Sequence, residues 1–285
     1  MKKFLFLIAA VLGIALLRDL PTFAEMASPT AIELKQGEAT YLKIPLSGNE
    51  ETRKGKFLGK TIYFNRLPGE NVFGAIIGVD LDERIAEEQL TDFSSNESLV
   101  RIRVAPNQFE RQEVKVPPRF VNPSPRQLKR VKREKNELLE IFSVVSDKKV
   151  WKGNFIIPVK GVQEGRFGSR RVFNGEARNP HSGEDIAAAE KTPVVASNDG
   201  IVVGVVNHFF SGRGVIIDHG QGLFTEYFHL YQVKVRKGQK VNKGMQIGWV
   251  GHTGRATGPH LHWGLLINGA RVNPFSLLNL KLETS

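Results

Sequence analysis

Two short clusters in the C-terminal half carry side chains that could act together. His181-Ser182-Gly183-Glu184-Asp185 offers an imidazole and a carboxylate around a glycine. Gly258-Pro259-His260-Leu261-His262-Trp263 offers two imidazoles two residues apart. Gly183 lets the backbone turn, so His181 and Asp185 can converge. In a strand, residues i and i+2 project to one face, so His260 and His262 point together and Leu261 enters the opposite layer. A hydrolytic zinc site needs three protein ligands and one open position for water, and the two clusters can supply them. Imidazoles and a carboxylate are donors suited to a divalent ion of this kind. Such an ion brings the pKa of its water to roughly 7 and polarises a carbonyl. Imidazoles titrate near neutrality, which suits the proton transfers hydrolysis requires. Each cluster alone is weak, because a short His-x-x-x-Asp or a lone His-x-His recurs by chance.

These clusters need strands to hold them. From Val150 onward the text is strand-rich and Gly-rich, with candidates at Pro193 to Ala196, Gly200 to Val203, Val215 to Ile217 and Leu261 to Ile267. All seven histidines lie in this half. Residues 29–120 read differently. Alternation is visible in Thr40-Tyr41-Leu42-Lys43-Ile44 and in Leu99 to Val104, with further runs at Thr61 to Phe64 and Val72 to Val79. Short strands at this spacing, separated by turn-rich patches, predict a small all-β sandwich. Residues 121–149 predict a connecting helix. Ser124, Pro125 and Gln127 match an N-cap, a first-turn proline and the third position of a capping box. Leu128, Val131, Leu138, Phe142 and Val145 form an apolar stripe, with Lys135 interrupting. Lys129, Arg130, Lys132, Arg133, Glu134 and Lys135 read as a solvated face. The expected fold is therefore mainly β: a small β-sandwich, a connecting helix, and a Gly-rich β domain over 150–280.

The N-terminus bears on location. Met1-Lys2-Lys3 is followed by an apolar run from Phe4 to Leu17, and Thr22-Phe23-Ala24 offers small residues at the −3 and −1 positions. Residues 1–24 thus predict a signal peptide, with export to the periplasm, envelope or exterior and no stable membrane span after cleavage. The formal net charge is +11, which favours a polyanionic partner. Export turns that partner toward wall polymers and away from nucleic acid. The chain has no cysteine, which excludes disulfides, Cys-type zinc fingers and thiol catalysis.

Further runs lie in order around the two clusters: Ile186-Ala187-Ala188, Thr192 to Ala196, Asp199-Gly200-Ile201-Val202, Thr225-Glu226-Tyr227-Phe228-His229-Leu230 and Gly251-His252-Thr253-Gly254. Together with the clusters they resemble the M23 peptidase family, the lysostaphin/LytM-type zinc endopeptidases of bacterial peptidoglycan. The resemblance covers roughly Asn154 to Pro274. It implies one zinc ion per chain, bound by His181, Asp185 and His262. It implies that His229 and His260 are catalytic without being metal ligands. It also implies a Gly-rich antiparallel β-sheet with a groove across it, and a substrate among peptidoglycan stem or bridge peptides. The β segment and helix before it resemble the N-terminal extension of exported members.

Other residues get plainer readings. Glu184 is expected as a surface carboxylate that could also influence Asp185. His219 is expected to be structural at a strand end, His252 to lie in a Gly-rich turn, and His208 in a loop with Phe209 and Phe210. Thr225, Tyr227 and His229 alternate on one strand face, which makes Tyr227 a candidate substrate contact. Gly55 to Thr61 looks like a P-loop but has three residues between its glycines instead of four, so it reads as a basic hairpin loop. No His-Glu-x-x-His motif or Gly-x-Ser-x-Gly elbow is present. Two other functions stay open. One is an inactive M23-like scaffold or activator of other wall hydrolases. The other is a biotinyl- or lipoyl-type carrier, suggested by Asp199 to Val202 and Val235 to Gly244, although the modified-lysine turn is missing.

Overall fold

The computed structural model describes residues 30–46, 49–69 and 71–282, so the expected signal peptide lies outside the described residues. The N-terminal part holds β1 (Thr30–Lys35), β2 (Ala39–Pro45), β3 (Thr52–Phe57), β4 (Lys60–Arg66), β5 (Val72–Gly78), β6 (Glu87–Asp92) and β7 (Ser98–Ala105). They form one seven-stranded sheet in the order β1-β7-β6-β3-β4-β5-β2, with only the β1–β7 pair parallel. Where the sequence suggests a sandwich, the strands run as one continuous sheet, barrel-like around its own core. Alternation drives this: in β7, Val100, Ile102 and Val104 are buried while Arg101 and Arg103 face water. Phe57, Ile62, Phe64, Phe73, Ile77 and Leu90 complete that core. The P-loop look-alike is the β3–β4 hairpin. Its turn residues Leu58 and Gly59 both have positive φ, 48° and 73°, as a tight hairpin turn requires.

The connecting helix α1 (Pro125–Ser143) starts on the expected capping box, with the Ser124 and Gln127 side chains each bonded to the other's backbone N–H. Leu138, Ile141 and Phe142 pack on Val206, Ile216 and Phe228. Two expected stripe residues do not pack: Leu128 and Val145 are exposed. Glu134, expected on the solvated face, is buried instead. It sits three residues after Val131 and four before Leu138, so it shares their side of the helix. Its Oε1 accepts from Arg130 at 2.5 Å and its Oε2 from the Phe209 N–H at 2.9 Å.

The C-terminal part comprises β9 (Val162–Gly165), β10 (Arg170–Phe173), β11 (Glu176–Ala177), β12 (Gly183–Ala187), β13 (Pro193–Val195), β14 (Gly200–His208), β15 (Gly212–Asp218), β16 (Leu223–Val233), β17 (Lys240–Val241), β18 (Gln246–Val250), β19 (His260–Ile267), β20 (Ala270–Arg271) and the short α2 (Pro274–Leu278). The main sheet runs β17-β14-β15-β16-β19-β12-β9, antiparallel at every step. One face buries Val215, Ile217, Tyr227, Leu230, Leu261 and Trp263. The opposite face carries Ile216 and Phe228 under α1. A strand preceding α1, β8 (Arg111–Val114), leaves the N-terminal part and pairs in parallel with β10, making a separate three-stranded sheet with β11.

Candidate active site

The site is built on three neighbouring strands. Asp185 of β12 lies opposite His262 of β19, and His262 lies opposite Phe228 of β16. Leu261 is fully buried in the core layer, so His260 and His262 share the other face, as alternation predicts. His181 precedes β12, and its loop is pinned by His181 N–H to Ser169 O at 3.0 Å and Gly168 N–H to His181 O at 2.7 Å.

His229 reaches the same face by breaking alternation. Thr225, Tyr227 and Leu230 point into the core layer, whereas Phe228 stacks on the His262 ring at 5.9 Å. Strict alternation would bury His229 with Tyr227. Instead His229 adopts a left-handed backbone, φ 63°, beside irregularities in the pairings of β16 with β15 and β18. This extra residue turns the His229 ring onto the site face, 4.7 Å from the His260 ring. The expectation that Thr225, Tyr227 and His229 share a face is thereby corrected. Tyr227 is fully buried, and its hydroxyl is bonded to the Ser197 N–H at 2.9 Å and to Thr225 Oγ1 at 2.9 Å. It has no solvent edge to offer a substrate.

The three expected ligand atoms converge. His181 Nε2 lies 2.9 Å from His262 Nδ1 and 3.0 Å from Asp185 Oδ1, and His262 Nδ1 lies 2.9 Å from the same oxygen. A triangle of such sides leaves a point about 2 Å from all three corners, the usual zinc–ligand distance. The His181 tautomer suits this role. A carbonyl only accepts, so Nδ1–H donates to Arg166 O at 3.1 Å and leaves Nε2 with its lone pair. His262 presents Nδ1, so its proton belongs on Nε2. Gly183 makes room for that edge, since a Cβ there would sit 2.7 Å from His262 Nε2.

Burial pushes the His181 imidazole down to about 4, against the opposing pull of Asp185, so it is neutral at pH 7. Burial would raise the Asp185 carboxyl, but the charges and hydrogen bonds of His181 and His262 hold it well below the usual carboxylate range. His260 and His229 flank the triangle. Nδ1–H of His260 donates to Gly258 O at 2.9 Å and Nδ1–H of His229 to Thr253 O at 2.7 Å, which frees both Nε2 atoms as bases. His260 Nε2 lies 3.8 Å from Asp185 Oδ1. Burial, then the nearby His260 and His262, push His229 down to about 3.

Sequence reasoning missed Arg171. From β10 its guanidinium pairs with Asp185 Oδ2, while its Nε donates to Gln112 of β8 at 3.2 Å. Asp185 thus keeps Oδ1 for the triangle and gives Oδ2 to an orienting cation. The pair Arg170-Arg171 looks like any basic doublet, so no signal marked it. Glu184 is not at the surface as expected. It is buried on the far side of β12, its carboxylate accepts from Gln163 Nε2 at 2.6 Å, and burial raises it. His219 is buried and structural, with Nδ1 donating to Asp199 O and Nε2 accepting from Thr225 Oγ1, both at 2.7 Å. His208 ends β14 and faces Glu137 of α1 at 3.2 Å, while exposed His252 faces Glu190 at 3.3 Å.

Comparison with known proteins agrees with this geometry. Residues 179–274 match Peptidase family M23. The peptidoglycan DD-endopeptidase ShyA of Vibrio cholerae is 50% identical over 94 residues, covering 33% of this chain and 22% of that protein. The DD-carboxypeptidase/endopeptidase Mpg of Neisseria meningitidis is 45% identical over 97 residues, covering 34% of this chain and 22% of that one. The chain therefore spans less than a quarter of the length of these curated relatives. A solved structure from Pseudomonas aeruginosa, carrying the peptidase M23 name, superposes with a TM-score of 0.64 at 28% identity, over 84% of this chain and 92% of that one. The converging His181, Asp185 and His262 lie inside the matched segment, so residues 179–274 of this chain form a peptidase M23 domain.

Proposed function

We propose that this protein is a zinc-dependent endopeptidase that hydrolyses peptide cross-links of bacterial peptidoglycan in the cell envelope. The observation that carries the reading is the His181–Asp185–His262 triangle, with two uncoordinated imidazole bases beside it. His181 Nε2, Asp185 Oδ1 and His262 Nδ1 would hold one zinc ion. Bound there, zinc would supply Lewis acidity toward the scissile carbonyl and make water acidic near neutral pH. The chain's own groups do the rest. Nε2 of His260, the nearer base to Asp185, takes a proton from the attacking water as its oxygen bonds to the carbonyl carbon. As the carbon–nitrogen bond breaks, a proton passes from imidazole to the leaving amine. Nε2 of His229, held neutral by burial with its proton on Nδ1, accepts a hydrogen bond from the same centre. Arg171 keeps Asp185 oriented throughout.

An exported site fits the peptidoglycan endopeptidase names of the relatives, and no helix among the described residues is long and apolar enough to cross a membrane. The test is digestion of purified peptidoglycans with different cross-links by the zinc-loaded protein, with products identified by mass spectrometry. Conversion of cross-linked dimers to monomers, stopped by a chelator and restored by zinc, is expected. Tightly bound zinc with every cross-link intact would sink the reading and favour an inactive scaffold.

A further inference from the structure

Among the described residues Arg255 forms no ion pair, and Asp185 acts on it only through space. Arg255 lies in the loop between β18 and β19, two residues after Thr253, whose carbonyl fixes His229. Its backbone N–H donates to Phe210 O at 2.7 Å, which ties this loop to the 209–211 segment. The guanidinium is half-buried between two rings, with its central carbon 4.4 Å from the Phe173 centroid and 4.5 Å from that of Phe210. Phe173 belongs to β10, the strand of Arg171. Arg255 therefore spans the wall that carries His229 and the wall that carries the Asp185 partner.

The charges around it are uneven. Arg171 is committed to Asp185 and Gln112, and Arg178 to Val121 O at 2.8 Å and Glu176 at 2.6 Å. Among the described residues, no acceptor or carboxylate lies within bonding distance of the Arg255 guanidinium. Burial, then the charges of Arg171 and Arg178, lower its hold on the proton to about 10, so its cation is under stress and still fully charged at neutral pH. Contact with ring faces restrains the plane of a guanidinium while leaving N–H groups available to a ligand. A planar fork with a free edge, beside a hydrolytic centre, matches a carboxylate bidentately.

We propose that Arg255 receives a free carboxylate of the cross-linked peptide next to the scissile bond, which directs the site to cross-links built on a dicarboxylic residue and away from oligoglycine bridges. This rests on the endopeptidase reading above. A glycine–glycine bridge carries no free carboxylate at the bond, so the Arg255 cation would stay unpaired on binding it.

The test uses zinc-loaded protein and a synthetic cross-linked peptide in three forms: free carboxylates, amidated on the amine side of the scissile bond, and amidated on the acyl side. The two amides tell which half supplies the anion. Amidating one side is expected to lower kcat/KM by roughly 10- to 100-fold, as a lost charge-assisted hydrogen bond does. In Arg255→Gln that acid-to-amide ratio should fall to near one, with Arg255→Lys intermediate. A merely structural Arg255 would lower all three peptides alike and keep the ratio. Dissociation constants of the acid and amide cleavage fragments, by calorimetry, give the same ratio without turnover. A wild-type ratio near one, or a ratio that survives Arg255→Gln, overturns the proposal. If no peptide is cleaved, the endopeptidase reading falls, and the fragment constants still decide whether Arg255 binds carboxylate.

Discussion

His181 Nε2 and His262 Nδ1 face each other at 2.9 Å, and both face Asp185 Oδ1. One nitrogen is the far atom of its ring and the other the near atom. A loop residue and a strand residue can meet at one point because of that difference in reach. His260, two residues away on the same face, meets the triangle from its side.

This geometry separates binding from turnover. His262→Ala should abolish stoichiometric zinc and activity together. His260→Ala should retain zinc and lose about 10²- to 10⁴-fold in kcat, the range for a proton-transfer group. Metal analysis by mass spectrometry beside steady-state kinetics checks both. A zinc-free His260→Ala, or one with full activity, would show that the two histidines have been assigned the wrong way round.

Gly183 is the second point of attack. A Cβ there would stand 2.5 Å from Trp263 O and 2.7 Å from His262 Nε2. Neither the strand backbone nor a core-anchored histidine can yield cheaply. Gly183→Ala should cost about 1–3 kcal/mol of stability and displace His262 from the zinc position. Urea denaturation and zinc titration would register it, and a variant with normal zinc affinity would refute the packing argument.

His219 gives a pH prediction away from the metal ligands. Burial lowers its imidazole from 6.5 to about 4. The unfolded chain takes up the proton first as pH falls, so stability is complete above 6.5 and drains away toward 4. The loss is on the order of 3 kcal/mol. Zinc-free wild type and His219→Gln should be compared by denaturation at pH 7.5 and pH 4. The variant is expected to show the flatter acid limb. Parallel limbs would mean that His219 carries no such linkage.

Glu134 anchors α1 through the Phe209 N–H and Arg130. Glu134→Ala leaves the buried Phe209 N–H without its acceptor and removes the ion pair of Arg130, which keeps only its bond to Asn207 O, and should cost roughly 2–3 kcal/mol. Glu134→Gln, which can still accept, should lose less. Thermal unfolding of the two variants distinguishes a specific acceptor from bulk packing, because equal losses would point to packing alone.

Much of this was legible in the sequence, for physical reasons. Ser124, Pro125 and Gln127 announced the start of α1 because capping is local. His260 and His262 were readable as a pair because strand alternation is rigid. His229 and Tyr227 defeated the same rule, since a left-handed non-glycine residue leaves no mark in composition. Glu134 and Glu184 looked solvated because charge predicts exposure only where no buried donor waits. Phe209 N–H and Gln163 are those donors, 75 and 21 residues away along the chain. Arg171 and Arg255 were invisible for a related reason. Their partners lie on other strands, and no spacing rule connects them.

The parallel pairing of β8 with β10 bears on how the molecule can be divided. Composition invites a cut near residue 150, releasing the histidine-bearing half. Such a cut would strip one side of β10 of its hydrogen bonds and take Gln112 from Arg171. The strand behind Asp185 would become an open template for other chains, a common seed of aggregation. A soluble fragment carrying the histidine cluster should therefore begin before Arg111, and the protein's shelf life in solution should depend on a short strand that lies outside that cluster.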